Sequence, residues 1–316
     1  MSLILKSDIK YTGVVAARHI LEFLVTAQEK TTYLKNMLST INADSTYVTE
    51  GTAPLITDRL LAHVKKIQKK GANVLSMEYT LKAIVFITKN SLLENNYTSC
   101  SLDFGAKLNS SGGVISFYGI GDDSFTESAA PTLTKRVIQG ENTLTANTNS
   151  LAYVGSDSLQ SLSVGLIMGT CTAQNSATTT QDRSLSANLD EAGNPALLAY
   201  HTASRTATAS SLSIVIPTTT AREGAQIEVD GGGSDVNNKA GIVVKYEYGT
   251  NQNKVYRNGA NILADTGSNI MFNLSSLSVR PQVQSAYIDS GMVESWLINS
   301  NDSALANALS IHLNRQ

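Results

Sequence analysis

Over residues 13–41, the apolar positions Val14, Ala17, Leu21, Leu24, Leu34, Met37 and Leu38 recur at threes and fours, the period of a helix that buries one face. No proline or glycine interrupts this run after its start, and a break is expected in the 28–32 region. A second helix is punctuated at both ends. Thr52 can cap it, Pro54 suits its first turn, Leu55, Leu60, Leu61, Val64 and Ile67 give it one face, and Gly71 ends it. The run 74–93 keeps helical spacing but contains Ile84-Val85-Phe86-Ile87-Thr88, whose β-branched side chains suit helix and strand alike; helix is the expected state.

After Asn95-Asn96 the texture changes to short apolar runs separated by Gly, Asn, Ser and Thr. Strands are expected near 98–104, 113–119, 135–139, 150–154, 159–168, 196–201, 212–216, 226–229, 241–248, 253–258, 269–274 and 286–298, with long loops at 120–134, 170–192 and 230–239. So many short strands suit a two-sheet antiparallel sandwich. Gly241-Ile-Val-Val-Lys-Tyr-Glu-Tyr-Gly249 alternates, turns through Thr-Asn-Gln-Asn and returns as Lys254-Val-Tyr-Arg-Asn-Gly-Ala-Asn-Ile262. That pattern predicts a hairpin, followed by a tight turn at Asn258-Gly259, where positive φ is tolerated. The stretch 286–298 reads as a long strand pair, and Ser303 is placed to cap a last helix over 304–313.

A chain of 316 residues exceeds what one core usually supports, so a helical segment over 1–96 and a β domain over 97–316 are expected. The net charge of −2 hides a split: Lys and Arg number 12 against 8 acids over 1–96, and 12 against 18 over 97–316. The sole basic cluster, Lys65, Lys66, Lys69 and Lys70, reads as a solvated helix end, so nucleic acid is not an expected partner. The N-terminal Met-Ser-Leu-Ile-Leu-Lys-Ser is too short in its apolar core for a signal peptide, and no stretch approaches ~18 apolar residues. Synthesis in the cytosol, without a membrane span, is the expectation. Cys100 and Cys171 lack metal or redox spacing and read as buried free thiols.

The segments Ile242-Val-Val-Lys-Tyr-Glu-Tyr, Asn253-Lys-Val-Tyr-Arg-Asn-Gly-Ala, Tyr287-Ile-Asp-Ser-Gly-Met-Val-Glu-Ser-Trp-Leu-Ile and Ala304-Leu-Ala-Asn-Ala-Leu-Ser-Ile-His-Leu together resemble the C-terminal half of a laminin-G-like or concanavalin-A-like domain. The resemblance extends loosely to Ser101-Leu-Asp-Phe104 as a first strand, and it implies a mainly β, two-sheet antiparallel jelly roll. A small helical segment ahead of such a domain, in a Ser/Thr/Asn-rich chain, resembles tailed-bacteriophage virion proteins: a tail, collar or baseplate appendage with a lectin-like head. That resemblance implies a structural, oligomeric virion protein whose partners are other virion proteins and a host surface glycan. The alternative on the same fold is a glycan-active hydrolase or lyase.

Candidate chemistry is sparse. Glu228 and Asp230 share a strand face, but a glycosidase needs two carboxylates about 5–9 Å apart and the jelly-roll hydrolases use a third acid, which Gly231-Gly232-Gly233-Ser234 does not supply. No catalytic residue is therefore assigned. Asp230, Asp235, Asn237 and Asn238 could offer oxygens to Ca²⁺ in a glycine-rich loop, with Asp122-Asp123 and Asp182, Asp190 and Glu191 as weaker sets; otherwise no cofactor is expected. Tyr246, Tyr248, Tyr256 and Trp296 could stack on sugar faces if they point outward, although core is the expected home of Trp296. His19, His63, His201 and His312 have no ligand spacing, and Gly119-Ile-Gly121 is followed by Asp122-Asp123, which excludes a dinucleotide fingerprint.

Overall fold

The structure is a computed structural model. It describes residues 14–93, 96–121, 124–126, 133–146, 150–153, 165–174, 182–189, 195–206, 209–218, 221–230, 240–247, 254–261, 282–285 and 290–315.

Four helices come first: α1 (Val14–Phe23), α2 (Ala27–Ser39), α3 (Ala53–Lys69) and α4 (Met77–Lys89). The break within 13–41 falls at 24–26, earlier than expected, because Thr26 and Glu29 form a capping box. Glu29 N donates to Thr26 Oγ1 at 3.1 Å and Thr26 N to Glu29 Oε2 at 3.0 Å, which holds the Glu29 carboxyl below its usual range. Thr52 opens α3, yet its hydroxyl does not cap the helix; it donates to Tyr47 O at 2.6 Å and accepts from Thr49 N at 2.9 Å. Pro54 lies in the first turn of α3, and Gly71 at φ +72° ends the segment. The ambiguous run 74–93 is helix: Ser76 caps α4 by accepting from Tyr79 N at 3.3 Å. Its β-branched Ile84, Val85, Ile87 and Thr88 are all buried, so packing overrides their strand preference.

Strands follow. The first eight are β1 (Tyr97–Leu108), β2 (Val114–Tyr118), β3 (Ser124–Thr126), β4 (Leu133–Ile138), β5 (Glu141–Ala146), β6 (Ser150–Tyr153), β7 (Gly165–Gln174) and β8 (Asp182–Leu189). The rest are β9 (Pro195–Thr206), β10 (Ala209–Thr218), β11 (Ala221–Asp230), β12 (Ala240–Glu247), β13 (Lys254–Arg257), β14 (Ala260–Asn261), β15 (Gln282–Ser285) and β16 (Ser290–Ile298), with α5 (Ser303–His312) last. The protein is thus mainly β with helices at its N-terminal end. A large antiparallel sheet runs β14-β13-β12-β7-β16-β1-β2-β3, with the β4–β5 hairpin joined to β16; β11-β10-β9-β8 and β15-β6 form smaller sheets.

Several expectations change. The loops expected at 120–134 and 170–192 contain β3, the start of β4, the end of β7 and all of β8, and β5 was not expected as a strand. Of the stretch 286–298, the described residues 290–298 form one strand, β16, while β15 pairs separately with β6. Asn258 (φ 48°) and Gly259 (φ +79°) form the expected tight turn, bringing Arg257 opposite Ala260. Asp302, rather than Ser303, caps α5, its Oδ1 accepting from Ala304 N at 2.7 Å. The strand expected at 269–274 lies outside the described residues.

β1 organises the core. Residues 97–100 pair with β16, while the ladder to β2 is interrupted between Ser101 and Ala106. Backbone between α3 and α4 covers that interruption: Asn73 exchanges two bonds with Ala106 (3.0 and 2.8 Å), and Leu75 N and Ser76 N donate to Asp103 O (3.1 and 3.2 Å). Side chains follow the backbone, because Leu38, Leu60, Ile67 and Leu81 from the helices join Phe104, Val243 and Trp296 from the sheet in one buried cluster. The change of texture at residue 96 therefore marks a change of secondary structure, and the core runs across it. Among the described residues no helix is long and apolar enough to cross a membrane.

Helix α5 seats on the sheet through glycines. A Cβ at Gly169 would lie 2.7 Å from side-chain atoms of Leu309 and Leu313, and one at Gly241 would lie 2.6 Å from the Leu313 carbonyl oxygen. Backbone is the neighbour at Gly241, so relief requires moving the helix end. Gly241→Ala is expected to cost about 1–3 kcal/mol in denaturant unfolding. Gly51→Ala, whose nearest contact would be an ordinary 3.8 Å, is expected to stay within about 0.5 kcal/mol of the parent. Equal stability of the two variants would contradict the seating of α5.

Candidate functional site

The densest chemistry in the described residues gathers behind α5. Arg315 Nη1 donates to Asp103 Oδ2 at 2.6 Å and to Glu141 Oε2 at 2.8 Å, and its Nη2 donates to Glu294 Oε2. Its guanidinium carbon stands 3.7 Å from the centre of the Tyr79 ring, and Tyr79 OH donates to Glu141 Oε1 at 3.0 Å. Asn142 Nδ2 donates to Asp103 Oδ1 at 2.7 Å. The second Glu294 oxygen accepts from His312 Nε2 and Trp296 Nε1, both at 2.6 Å. The Arg315, Glu294 and Asp103 side chains are at most 1% exposed.

Local structure explains the convergence. Glu294 and Trp296 are two apart on β16, so they share a face, and the pairing of β16 with β7 shifts register between Met292 and Glu294, just before that pair. Ser101 Oγ donates to Val293 O at 2.6 Å at that irregularity. Asp103 lies where β1 leaves its ladder to β2, and Glu141 opens β5. β5 turns polar side chains inward: Glu141, Thr143 and Thr145 are all buried.

Burial disfavours charge on every member, and proximity decides which groups keep it. Arg315 loses stability as a cation through burial but gains more from Glu294 and the neighbouring acids, and its pKa stands well above the ordinary value. Burial pushes Glu294 up, yet His312 and Arg315 together hold its carboxyl well below the usual carboxylate range. Asp103 is raised, with burial outweighing Arg315 and Asn142. For the His312–Glu294 pair, burial disfavours an imidazolium and Arg315 already supplies a permanent cation, so the His312 pKa falls and the neutral ring donates its Nε2 proton to Glu294. Lys82 Nζ donates to Asn314 O at 3.2 Å, and burial lowers its pKa to about 8. The result is a set whose carboxylates are occupied by internal donors.

Other titratable groups are also absorbed into the fold. His63 Nε2 lies 2.7 Å from Phe104 O, and burial lowers its pKa to about 4. Cys100 and Cys171 are free and buried, and burial pushes the Cys171 thiol up to about 12. Of the lysine cluster, Lys65 and Lys69 are exposed, Lys70 lies 4.8 Å over the Tyr118 ring and Lys66 donates to Gly121 O.

The sugar-stacking candidates are not brought together. Trp296 is fully buried between Phe86, Tyr97, Phe104 and His312, so the ring has no face for a sugar, which corrects its assignment to a carbohydrate site. Tyr256 is corrected likewise, being buried with 5% exposure beneath α5. Tyr246 lies in β12 with its side chain outside the described residues, as is Tyr248 altogether. Glu228 and Asp230 lie in β11 opposite Ser213 and Ser211, their side chains undescribed. Of the other calcium candidates, Asp235, Asn237, Asn238, Asp122, Asp123, Asp190 and Glu191 lie outside the described residues; among the described residues no three or more His, Cys, Asp and Glu are grouped to hold a metal. Sequence reading missed Asp103, Glu141, Glu294 and Arg315 because they are scattered along the chain; their one local signal is the polar side of β5.

No protein-family model matches this chain, and no curated protein matches it. Among solved structures, a Trypanosoma rangeli sialidase mutant displaying trans-sialidase activity is similar at TM-score 0.45 and 10% identity, covering 84% of this chain and 40% of that one. The T. rangeli sialidase in complex with sialic acid gives 0.42 and 12%, covering 68% and 32%. The Ruminococcus gnavus IT-sialidase CBM40 bound to α2,6 sialyllactose gives 0.32 and 15%, covering 46% and 82%. The chain thus spans well under half the length of the T. rangeli sialidases, and TM-scores below 0.5 are too distant to assign it a fold or an activity.

Two outcomes follow from the ionic cluster and from His63. Arg315→Met strands buried carboxylates and is expected to cost about 3–5 kcal/mol at neutral pH. The deficit should shrink as the pH is lowered and the orphaned carboxyls take up protons; a variant as stable as the parent would show the guanidinium to be dispensable. His63 has a folded pKa near 4, below its ordinary 6.5, so the unfolded chain takes up the proton first. Its contribution is full above about pH 6.5 and is lost as the pH falls toward about 4. His63→Gln should flatten the stability profile across that window in denaturant titrations, and an unchanged slope would count against the buried neutral ring.

Proposed function

We propose that this protein is a non-catalytic structural component of a tailed-bacteriophage particle, with a lectin-like jelly roll displayed for glycan binding or subunit contact. The observation that carries the non-catalytic part is the closure of the Arg315 cluster. An acid or base must reach a substrate proton, whereas these carboxylates are consumed by internal donors and the Arg315 side chain has no exposed surface. The jelly-roll assignment draws support from the large antiparallel sheet and from the residue patterns of β12, β13 and β16.

Attachment to other subunits is ascribed to the helical side. Phe23 is 65% exposed, Val25 84% and Leu55 49%, exposed apolar side chains of the kind that oligomerisation covers. Because the core crosses residue 96, the test uses the full chain. Light scattering should find an oligomer for the parent and a smaller mass for Phe23→Ser/Val25→Ser; a monomeric parent would overturn the assembly role. Incubation with a panel of bacterial surface polysaccharides should yield no new reducing or unsaturated ends. Their appearance with purified protein would overturn the non-catalytic reading in favour of a hydrolase or lyase.

A further inference from the structure

Beside the sealed cluster the structure leaves an open cavity of about 350 Å³, framed by the 41–44 segment after α2, by α4 and by the end of α5. Val85, Phe86, Ala308 and Ile311 give it apolar walls, while Lys82, His312 and the asparagines Asn42, Asn90 and Asn314 bring polar groups to it. A pocket with mostly apolar walls and a few converging polar groups is the usual form of a small-molecule site. By contrast, the smaller cavity beside α3, about 210 Å³, has its polar lining engaged: Arg59 donates to Thr88, His63 meets Phe104 O and Lys66 donates to Gly121 O.

The polar groups define the ligand. His312 is held by Nε2 to Glu294, which orients the ring and leaves Nδ1 as the nitrogen available to accept a hydrogen bond. Lys82 donates to Asn314 O, and an ammonium carries three donors, so it keeps capacity for a ligand oxygen. Phe86, tilted against His312 at 4.8 Å between ring centres, fixes the second side of that imidazole. Lys89 and Asp44 stand 3.6 Å apart and offset each other's charge. Behind His312 lie three carboxylates around one guanidinium, so the local field does not favour an anion. A neutral molecule with hydroxyls on one side and C–H groups on the other suits these walls.

We propose that this cavity binds a single neutral sugar ring or similar polyol, with Lys82 donating to one hydroxyl, His312 Nδ1 accepting from another, and the C–H face against Val85 and Ile311. The inference rests on the lectin-like reading for its choice of glycan and adds the place where the glycan sits, a cavity whose described lining includes none of Tyr246, Tyr248, Tyr256 and Trp296. It also gives the buried Glu294 a positioning role, since that carboxylate sets which His312 nitrogen meets the ligand.

The test is ligand-observed NMR on the full chain with galactose, glucose and N-acetylglucosamine as probes. Two variants accompany it: Lys82→Met, which keeps the methylene stem, and Ile311→Asp, on a side chain 53% exposed. Unchanged thermal midpoints would establish that both fold. Binding of at least one probe to the parent, weakened about tenfold or more in both variants, is the expected result. Binding unchanged by both would overturn this site while leaving a lectin-like protein that holds sugar elsewhere. No binding of any probe at about 50 mM would overturn the site and the glycan-binding part of the function together, with the oligomer measurement still deciding the structural part.

Discussion

One guanidinium holds this molecule in register. Arg315 is an unexposed cation within hydrogen-bonding distance of Asp103 on β1, Glu141 on β5 and Glu294 on β16, and it stacks on Tyr79 of α4. Removing a charge of this kind from water costs several kcal/mol, and the cost is offset only when partners of opposite sign are already in place. Sheet strands, a helix and the chain following α5 must therefore all reach their final positions before any of these groups is satisfied. A hydrophobic core tolerates small slips; this arrangement does not, because each slip strands a charge.

The same cluster separates sealed chemistry from accessible chemistry. Glu294 is a carboxylate with an imidazole, an indole N–H and a guanidinium all donating to it, which leaves little for a substrate. His312 both bonds to Glu294 and lines an open cavity, so it is a route by which the buried network can influence a ligand. The close approach of α5 to Gly169 and Gly241 fixes the depth at which His312 sits. Fold and candidate ligand site thus share one set of constraints, while the exposed Phe23 and Val25 lie on α1 and the segment after it, outside that set.

Local signals explain what was legible in the sequence. α3 is legible from apolar spacing and punctuation, α4 from spacing alone against its β-branched content, and Asn258-Gly259 from its tolerance of positive φ. The break in 13–41 falls where Thr26-x-x-Glu29 forms a reciprocal cap, a signal the apolar spacing does not carry. The polar content of β5 hides it as a strand, since Glu141, Thr143 and Thr145 are buried on one side with Leu144 on the other, and the single alternation Leu185-Ser-Ala187-Asn-Leu189 in β8 is outweighed by the polar residues around it. The Arg315 cluster is illegible as well. Its members come from residues 103, 141, 294 and 315, and nothing near any one of them in sequence announces the others.

The central claim is that helices and large sheet form one cooperative body tied through Arg315. Native-state hydrogen exchange of the full chain tests it most directly, by comparing the opening free energies of amides in α3 and α4 with those in β1 and β16. The account predicts that the slowest amides of both groups open together with a common free energy. Helices that exchange through a separate, much less costly opening while the sheet stays protected would contradict it.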